Sequence, residues 1–97
     1  MTQNLFNLKK NITIITGGAG LLGYNFAKSI HENNGIPVII DFNIKKINEI
    51  KRDFFKIYKK ELECYHIDIS QKKAVQNNLK ILKKKHGRIH SLINNAA

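Results

Sequence analysis

The chain has 97 residues, 42% of them apolar and 25% charged, with six Gly and one Pro, a balance that describes one small globular domain and excludes disordered, collagen-like and membrane-spanning classes. A single cysteine, Cys64, excludes an internal disulfide and a cysteine metal cluster and reads as a small buried apolar residue in a strand. The formal net charge of +10 raises nucleic acid as a partner, yet the lysines alternate with apolar stripes, as solvated helix faces do, and no recognition-helix or aromatic-platform pattern accompanies them.

Met1 to Lys10 carry Leu5, Phe6 and Leu8 without a sustained period and read as a lead-in that packs a side chain or two against the sheet. Met1 to Asn11 lacks the basic start and apolar core of a secretory signal, so a cytoplasmic location is expected. Asn11 to Ile15 is the first strand, its Ile and Thr content suiting a strand covered on both faces. Thr16-Gly17-Gly18-Ala19-Gly20-Leu21-Leu22-Gly23 follows as a glycine turn into a helix over Leu21 to Glu32, with Leu22, Phe26 and Ile30 expected to face inward. Asn33-Asn34-Gly35 ends that helix, and Val38 to Asp41 is the second strand, with Pro37 at its start.

Ile44 to Lys59 reads as a second helix capped by Asn43, its buried stripe being Ile47, Ile50, Phe54 and Ile57. The third strand is Leu62 to Ile67. Asp68-Ile69-Ser70 leads into a third helix, with Ser70 as cap, Val75, Leu79 and Leu82 inward and Gly87 as its stop. Ile89 to Asn94 is the fourth strand. Four alternations with short connections predict a single α/β domain over residues 1–97, a Rossmann-like doubly wound parallel sheet of strand order 3-2-1-4. That order brings the glycine turn and the ends of the second and fourth strands to one edge of the sheet.

Three glycines spaced three apart, Gly17, Gly20 and Gly23, let the backbone turn sharply and let a pyrophosphate approach bare N–H groups at the positive end of a helix. The expected cofactor-binding segment is therefore Thr16, Gly17, Gly20, Leu22 and Gly23. Asp41, about 20 residues on, stands where an acid accepts from the adenosine ribose hydroxyls. A carboxylate there favours NAD over NADP because it repels a 2'-phosphate, although Lys45 and Lys46 lie near enough to offset part of that charge. His31, His66, His86 and His90 show no ligand spacing, so no metal is expected. Thr16 has no general base placed for it and reads as a turn-stabilising hydroxyl.

With Thr16-Gly17, Gly20, Gly23, Asp41, Asp68-Ile69 and Asn94-Asn95-Ala96-Ala97 in this order, the chain resembles the N-terminal, NAD-binding half of a short-chain dehydrogenase/reductase over essentially its whole length. The resemblance implies that Asp68 accepts from the adenine amino group, that the Ile69 N–H reaches the ring, and that Asn95 and Ala96 line the adenosine ribose. It also implies hydride transfer between NAD(H) and a small carbonyl or alcohol substrate in the full-length form. The Gly-x-x-Gly-x-x-Gly spacing is that of the extended branch of the family. Asn94-Asn95-Ala96, the more distinctive mark, is that of the compact branch, with Ala97 where Gly is usual.

The family's Ser and Tyr-x-x-x-Lys pair lie downstream of Asn-Asn-Ala, so no catalytic residue is assigned and the 97-residue chain alone is expected to be inert. Tyr24-Asn25-Phe26-Ala27-Lys28 fits the second string but sits in the first helix, away from any nicotinamide pocket. An open fourth strand predicts self-association of the isolated chain. Two other classes stay open: a non-catalytic nucleotide-binding or interaction module, and, with less in its favour, a basic nucleic-acid binder.

Overall fold

The structure, a computed structural model, describes residues 8–95; the expectations for Leu5, Phe6, Ala96 and Ala97 lie outside the described residues. Seven elements alternate: β1 (Ile12–Thr16), α1 (Leu21–Glu32), β2 (Ile36–Asp41), α2 (Ile44–Tyr58), β3 (Glu63–His66), α3 (Lys72–His86) and β4 (Ser91–Asn94). All strand pairs are parallel and the sheet order is β3-β2-β1-β4, the doubly wound arrangement expected from right-handed crossovers. Among the described residues no helix is long and apolar enough to cross a membrane.

The pleat of β1 and β2 divides the core in two, because successive side chains point to opposite faces. Ile15 and Ile39 pack on one face with Tyr24, Ala27, Ile47, Ile50, Phe54 and Leu62. Ile12, Ile14, Val38 and Ile40 pack on the other with Leu82 of α3. Both central strands are therefore buried on both sides, which accounts for their near-continuous apolar runs. Pro37 lies just before the first β2–β3 pair, Val38↔Glu63, where its missing N–H faces no third strand.

Helix phase departs from expectation in three places. In α1 the inward residues are Gly23, Tyr24 and Ala27, while Leu22 and Phe26 are 58% and 38% exposed. The small pair Gly23 and Ala27, four apart, lets the α1 backbone approach the sheet and turn, and that close approach rotates Leu22 and Phe26 outward. In α2, Ile47, Ile50 and Phe54 are buried as expected but Ile57 is 52% exposed. Tyr58 replaces it, its ring edge-on to His31 and tilted against Phe54, with its hydroxyl donated to Glu32. In α3, Leu82 is buried and Val75 half-buried, but Leu79 is turned outward and Asn78 is buried in its place.

The helix ends follow local chemistry. Asn43 caps α2, its Oδ1 accepting from Lys46 N–H at 3.1 Å, and Gly87, with φ of 81°, closes α3. Ser70 does not cap α3: Gln71 occupies that position, and the Ser70 hydroxyl is given to Asp68 Oδ1 at 2.8 Å. Asp68 competes for Ser70 because the two are only two residues apart, an Asx-turn geometry.

Asn78 Oδ1 is buried with no hydrogen-bond partner among the described residues. A buried carbonyl without a donor destabilises by about 1–3 kcal/mol. Asn78→Leu keeps the branching at Cγ and removes the polar atoms, so it is expected to stabilise the fold by ~1 kcal/mol and raise Tm by ~4–8 °C. A thermal melt of the variant beside the parent chain checks this, and a lower Tm would contradict it.

A charged cluster ties the end of α3 to the β3 edge. Glu63 Oε1 stands 2.9 Å from His86 Nε2, while Glu63 Oε2 accepts from the Tyr65 hydroxyl at 2.6 Å and lies 3.4 Å from Lys85 Nζ. Burial by itself would raise the Glu63 pKa, but the bonds from Tyr65 and His86 and the charges of His86 and Lys85 outweigh it and hold the carboxyl below its usual range. A folded pKa lowered in this way adds stability above the ordinary carboxylate range and loses it as pH falls through the folded value. Glu63→Gln is expected to flatten that acid limb of the stability profile and to cost about 1 kcal/mol at neutral pH, as read from denaturant midpoints across pH.

Candidate functional site

The site forms where β1, β2 and β4 end together. At the end of β1, Thr16 donates its hydroxyl to Asn94 Oδ1 at 2.9 Å, tying β1 to the end of β4. The chain then reverses through Gly17, whose φ of 65° is left-handed and suits glycine. Gly17 N–H donates to Ile40 O at 2.8 Å, binding the turn to β2. On the other side Asn95 clamps it: its N–H donates to Thr16 O and its Nδ2 to Gly17 O, both at 3.2 Å.

The remaining glycines have different duties. A Cβ on Gly23 would stand 2.6 Å from Gly18 Cα, 2.8 Å from Gly17 O and 3.1 Å from Asn95 Nδ2, so this position lets helix, turn and clamp meet. Gly20 is open by contrast: a Cβ there would meet only Gly17 O, at 3.6 Å. It is the N-cap of α1 and supplies no side-chain cap, and the first turn carries no acidic residue. The first-turn N–H groups of Leu21, Leu22 and Gly23 have no carbonyl one turn back to accept them, and the helix dipole adds positive potential there.

Asp41 faces this turn from the end of β2 and is buried. Its Oδ2 accepts from Ala19 N–H at 3.1 Å and its Oδ1 from Asn43 N–H at 2.9 Å. Each carboxylate oxygen has two acceptor positions, so both can take a second donor. A cleft of about 460 Å³ opens between these elements, lined by Gly17, Gly20, Asp41, Ile69 and Asn95 together with Ile40, Phe42, Asn43, Lys46 and Ile67.

Among the expected site residues, Gly17, Gly20, Asp41, Ile69 and Asn95 therefore share one cleft, and Thr16, Leu22 and Gly23 support or adjoin it. Asp68 is not among the lining residues; it is exposed, accepting from Ser70 N–H at 2.9 Å and from the Ser70 hydroxyl. Those bonds, the backbone one foremost, hold its carboxyl below the usual range. Ala96 lies outside the described residues. Sequence reasoning missed Phe42, Ile40, Asn43 and Ile67 as lining residues. Phe42 carries a usable signal, a large aromatic directly after the strand-ending acid.

Tyr24 and Lys28 lie elsewhere. The Tyr24 hydroxyl donates to Asp53 Oδ2 of α2 at 2.6 Å, and Lys28 Nζ stands 4.8 Å from the Tyr24 ring centroid. Burial, and then Asp53, push the phenol pKa well up, the opposite of an activated acid–base. Cys64 is half-buried against the first core cluster, its thiol pushed up to about 12 by burial. Among the described residues, no three His, Cys, Asp or Glu side chains come together as metal ligands.

A doubly wound parallel sheet with a glycine turn, an acid at the end of its second strand and a cleft at the carboxyl ends of its strands defines a Rossmann-like α/β protein. Residues 11–97 match the short chain dehydrogenase family, and the chain belongs to it. A probable 2,4-dienoyl-CoA reductase of Bacillus subtilis is 29% identical over 90 residues, covering 93% of this chain and 35% of that protein. The crystal structure of a short chain dehydrogenase of Bacillus anthracis is 28% identical and superposes with a TM-score of 0.80 over 92% of this chain and 35% of its own. An NAD+-bound xylitol dehydrogenase shares the fold at 22% identity, with a TM-score of 0.82 over 97% of this chain and 35% of its own. The chain thus spans 35% of the length of each of these proteins.

Proposed function

We propose that this chain is the cofactor-holding half of an oxidoreductase that uses NAD(H) and acts on a small carbonyl or alcohol substrate. The observation that carries the reading is the pairing of an open, uncapped helix start at Gly20 with the Asp41 carboxylate across one cleft. A pyrophosphate fits the first and a ribose diol the second. That the related xylitol dehydrogenase was solved with NAD+ bound supports the choice of cofactor.

In this reading the N–H groups of Leu21, Leu22 and Gly23 bind the pyrophosphate and Asp41 accepts from the ribose hydroxyls. Ile40, Phe42, Ile67 and Ile69 give the adenine an apolar seat. Asn95 holds the Gly17 carbonyl in place, so that the turn is shaped before the nucleotide arrives. The cofactor, when bound, supplies the hydride equivalent. The buried Asp41 charge sets NAD above NADP, and Lys46 on the cleft wall softens that preference. The open edge of β4, where Leu92 is 63% exposed, supports self-association of the chain expressed alone.

Calorimetric titration of the 97-residue chain with NADH and with NADPH tests the reading. Saturable binding of NADH, tighter than NADPH, is the expected result, with no turnover of alcohols by the chain alone. Absence of binding to either would overturn it.

A further inference from the structure

His66 closes β3 opposite Asp41 in the β2–β3 register, outside the cleft lining. Its Nε2 lies 2.7 Å from the Phe42 carbonyl oxygen, and because a carbonyl only accepts, Nε2–H is the donor. The Phe42 carbonyl and the Asn43 N–H belong to one peptide unit, and the Asn43 N–H donates to Asp41 Oδ1 at 2.9 Å. One peptide plane is thus gripped at both ends, by an imidazole on its oxygen and by the ribose-facing carboxylate on its hydrogen. The other strap at this point, Ile67 N–H to Asp41 O at 3.0 Å, fixes the strand ends but leaves that plane free to turn.

We infer that His66 is a positioning residue for nucleotide binding: through the Phe42–Asn43 peptide it fixes the direction of the Asp41 carboxylate and of the turn that forms one wall of the cleft. This rests on the function proposed above. Donation into the Phe42 oxygen polarises the peptide and strengthens the Asn43 N–H as a donor to Asp41, since hydrogen bonds in series reinforce one another. A carboxylate aimed in advance binds a ribose diol without the ordering cost that a swinging one carries. His66 itself is exposed and is not a lining residue, so its effect is transmitted through the Phe42–Asn43 peptide and not direct.

The test compares His66→Ala and His66→Gln with the parent chain by NADH calorimetry and by hydrogen exchange of the Asn43 amide in ligand-free protein. A glutamine amide can donate to the same carbonyl; alanine cannot. The expected results for His66→Ala are NADH binding about fivefold weaker, the loss of one neutral hydrogen bond, and faster Asn43 exchange. Both should return toward parent values in His66→Gln. Parent-like binding by His66→Ala, or a His66→Gln as weak as the alanine variant, would overturn the inference while leaving the proposed function intact. Failure of the parent chain to bind NADH would overturn both.

Discussion

Gly23→Ala is expected to abolish dinucleotide binding and to lower stability by ~3 kcal/mol, a fall in Tm of more than about 10 °C for a domain of this size. The added methyl meets backbone on two sides, Gly18 Cα at 2.6 Å and Gly17 O at 2.8 Å, and neither is the end of a flexible side chain. Relief requires the helix to lift from the turn, which breaks the Asn95 clamp on Gly17 and misaligns the first-turn N–H groups. Gly20→Ala is the informative contrast. Its methyl has room, so the fold should hold, while the side chain projects where phosphate must approach and affinity alone should fall. Thermal melts and NADH titrations of the two variants separate a packing glycine from an access glycine; equal Tm losses would contradict the distinction.

Asp41→Ala carries the second large effect because the carboxylate has two duties. Inside the protein it accepts from Ala19 and Asn43 N–H groups, and losing an ionised acceptor costs about 1.5–3 kcal/mol. In the proposed complex it would also accept from the ribose diol, and the same magnitude corresponds to a loss of about 10–100-fold in NADH affinity. NADPH should lose less, since removing the carboxylate also removes its repulsion of the 2'-phosphate and leaves Lys46 on the cleft wall. The ratio of NADH to NADPH affinity should therefore fall toward or below one. A variant that loses stability but keeps the parent preference would show Asp41 to be a turn brace only.

What the sequence showed well was whatever is decided locally. Strand alternation, the Asn43 cap, the Gly87 stop and the acid at the end of β2 each depend on a few neighbouring residues, and the sheet order follows from handedness once the elements are known. Helix phase was less legible, because an apolar stripe assumes that the largest side chains point inward. In α1 that holds for Tyr24 but not for Leu22 and Phe26: Gly23 and Ala27 face the sheet beside Tyr24 because close approach matters more there than side-chain area. Asn78 could not be foreseen as buried, since its place is set by the lean of α3 on the second core cluster. The site divides in the same way. Gly17, Gly20 and Asp41 carry their own signature, whereas His66 acquires its place only when β3 is laid beside β2 and its ring reaches the following turn.

In the proposed function the start of α1 and Asp41 together hold one dinucleotide. Titration of isotope-labelled protein with NAD+, followed by backbone amide shifts, examines this arrangement residue by residue. Saturable shifts are expected to concentrate at Gly20, Leu21, Leu22 and Gly23 and around Asp41 to Asn43, with the lysine faces of α2 and α3 unmoved. Shifts spread over those lysines and fading with salt, with the glycine turn silent, would contradict it.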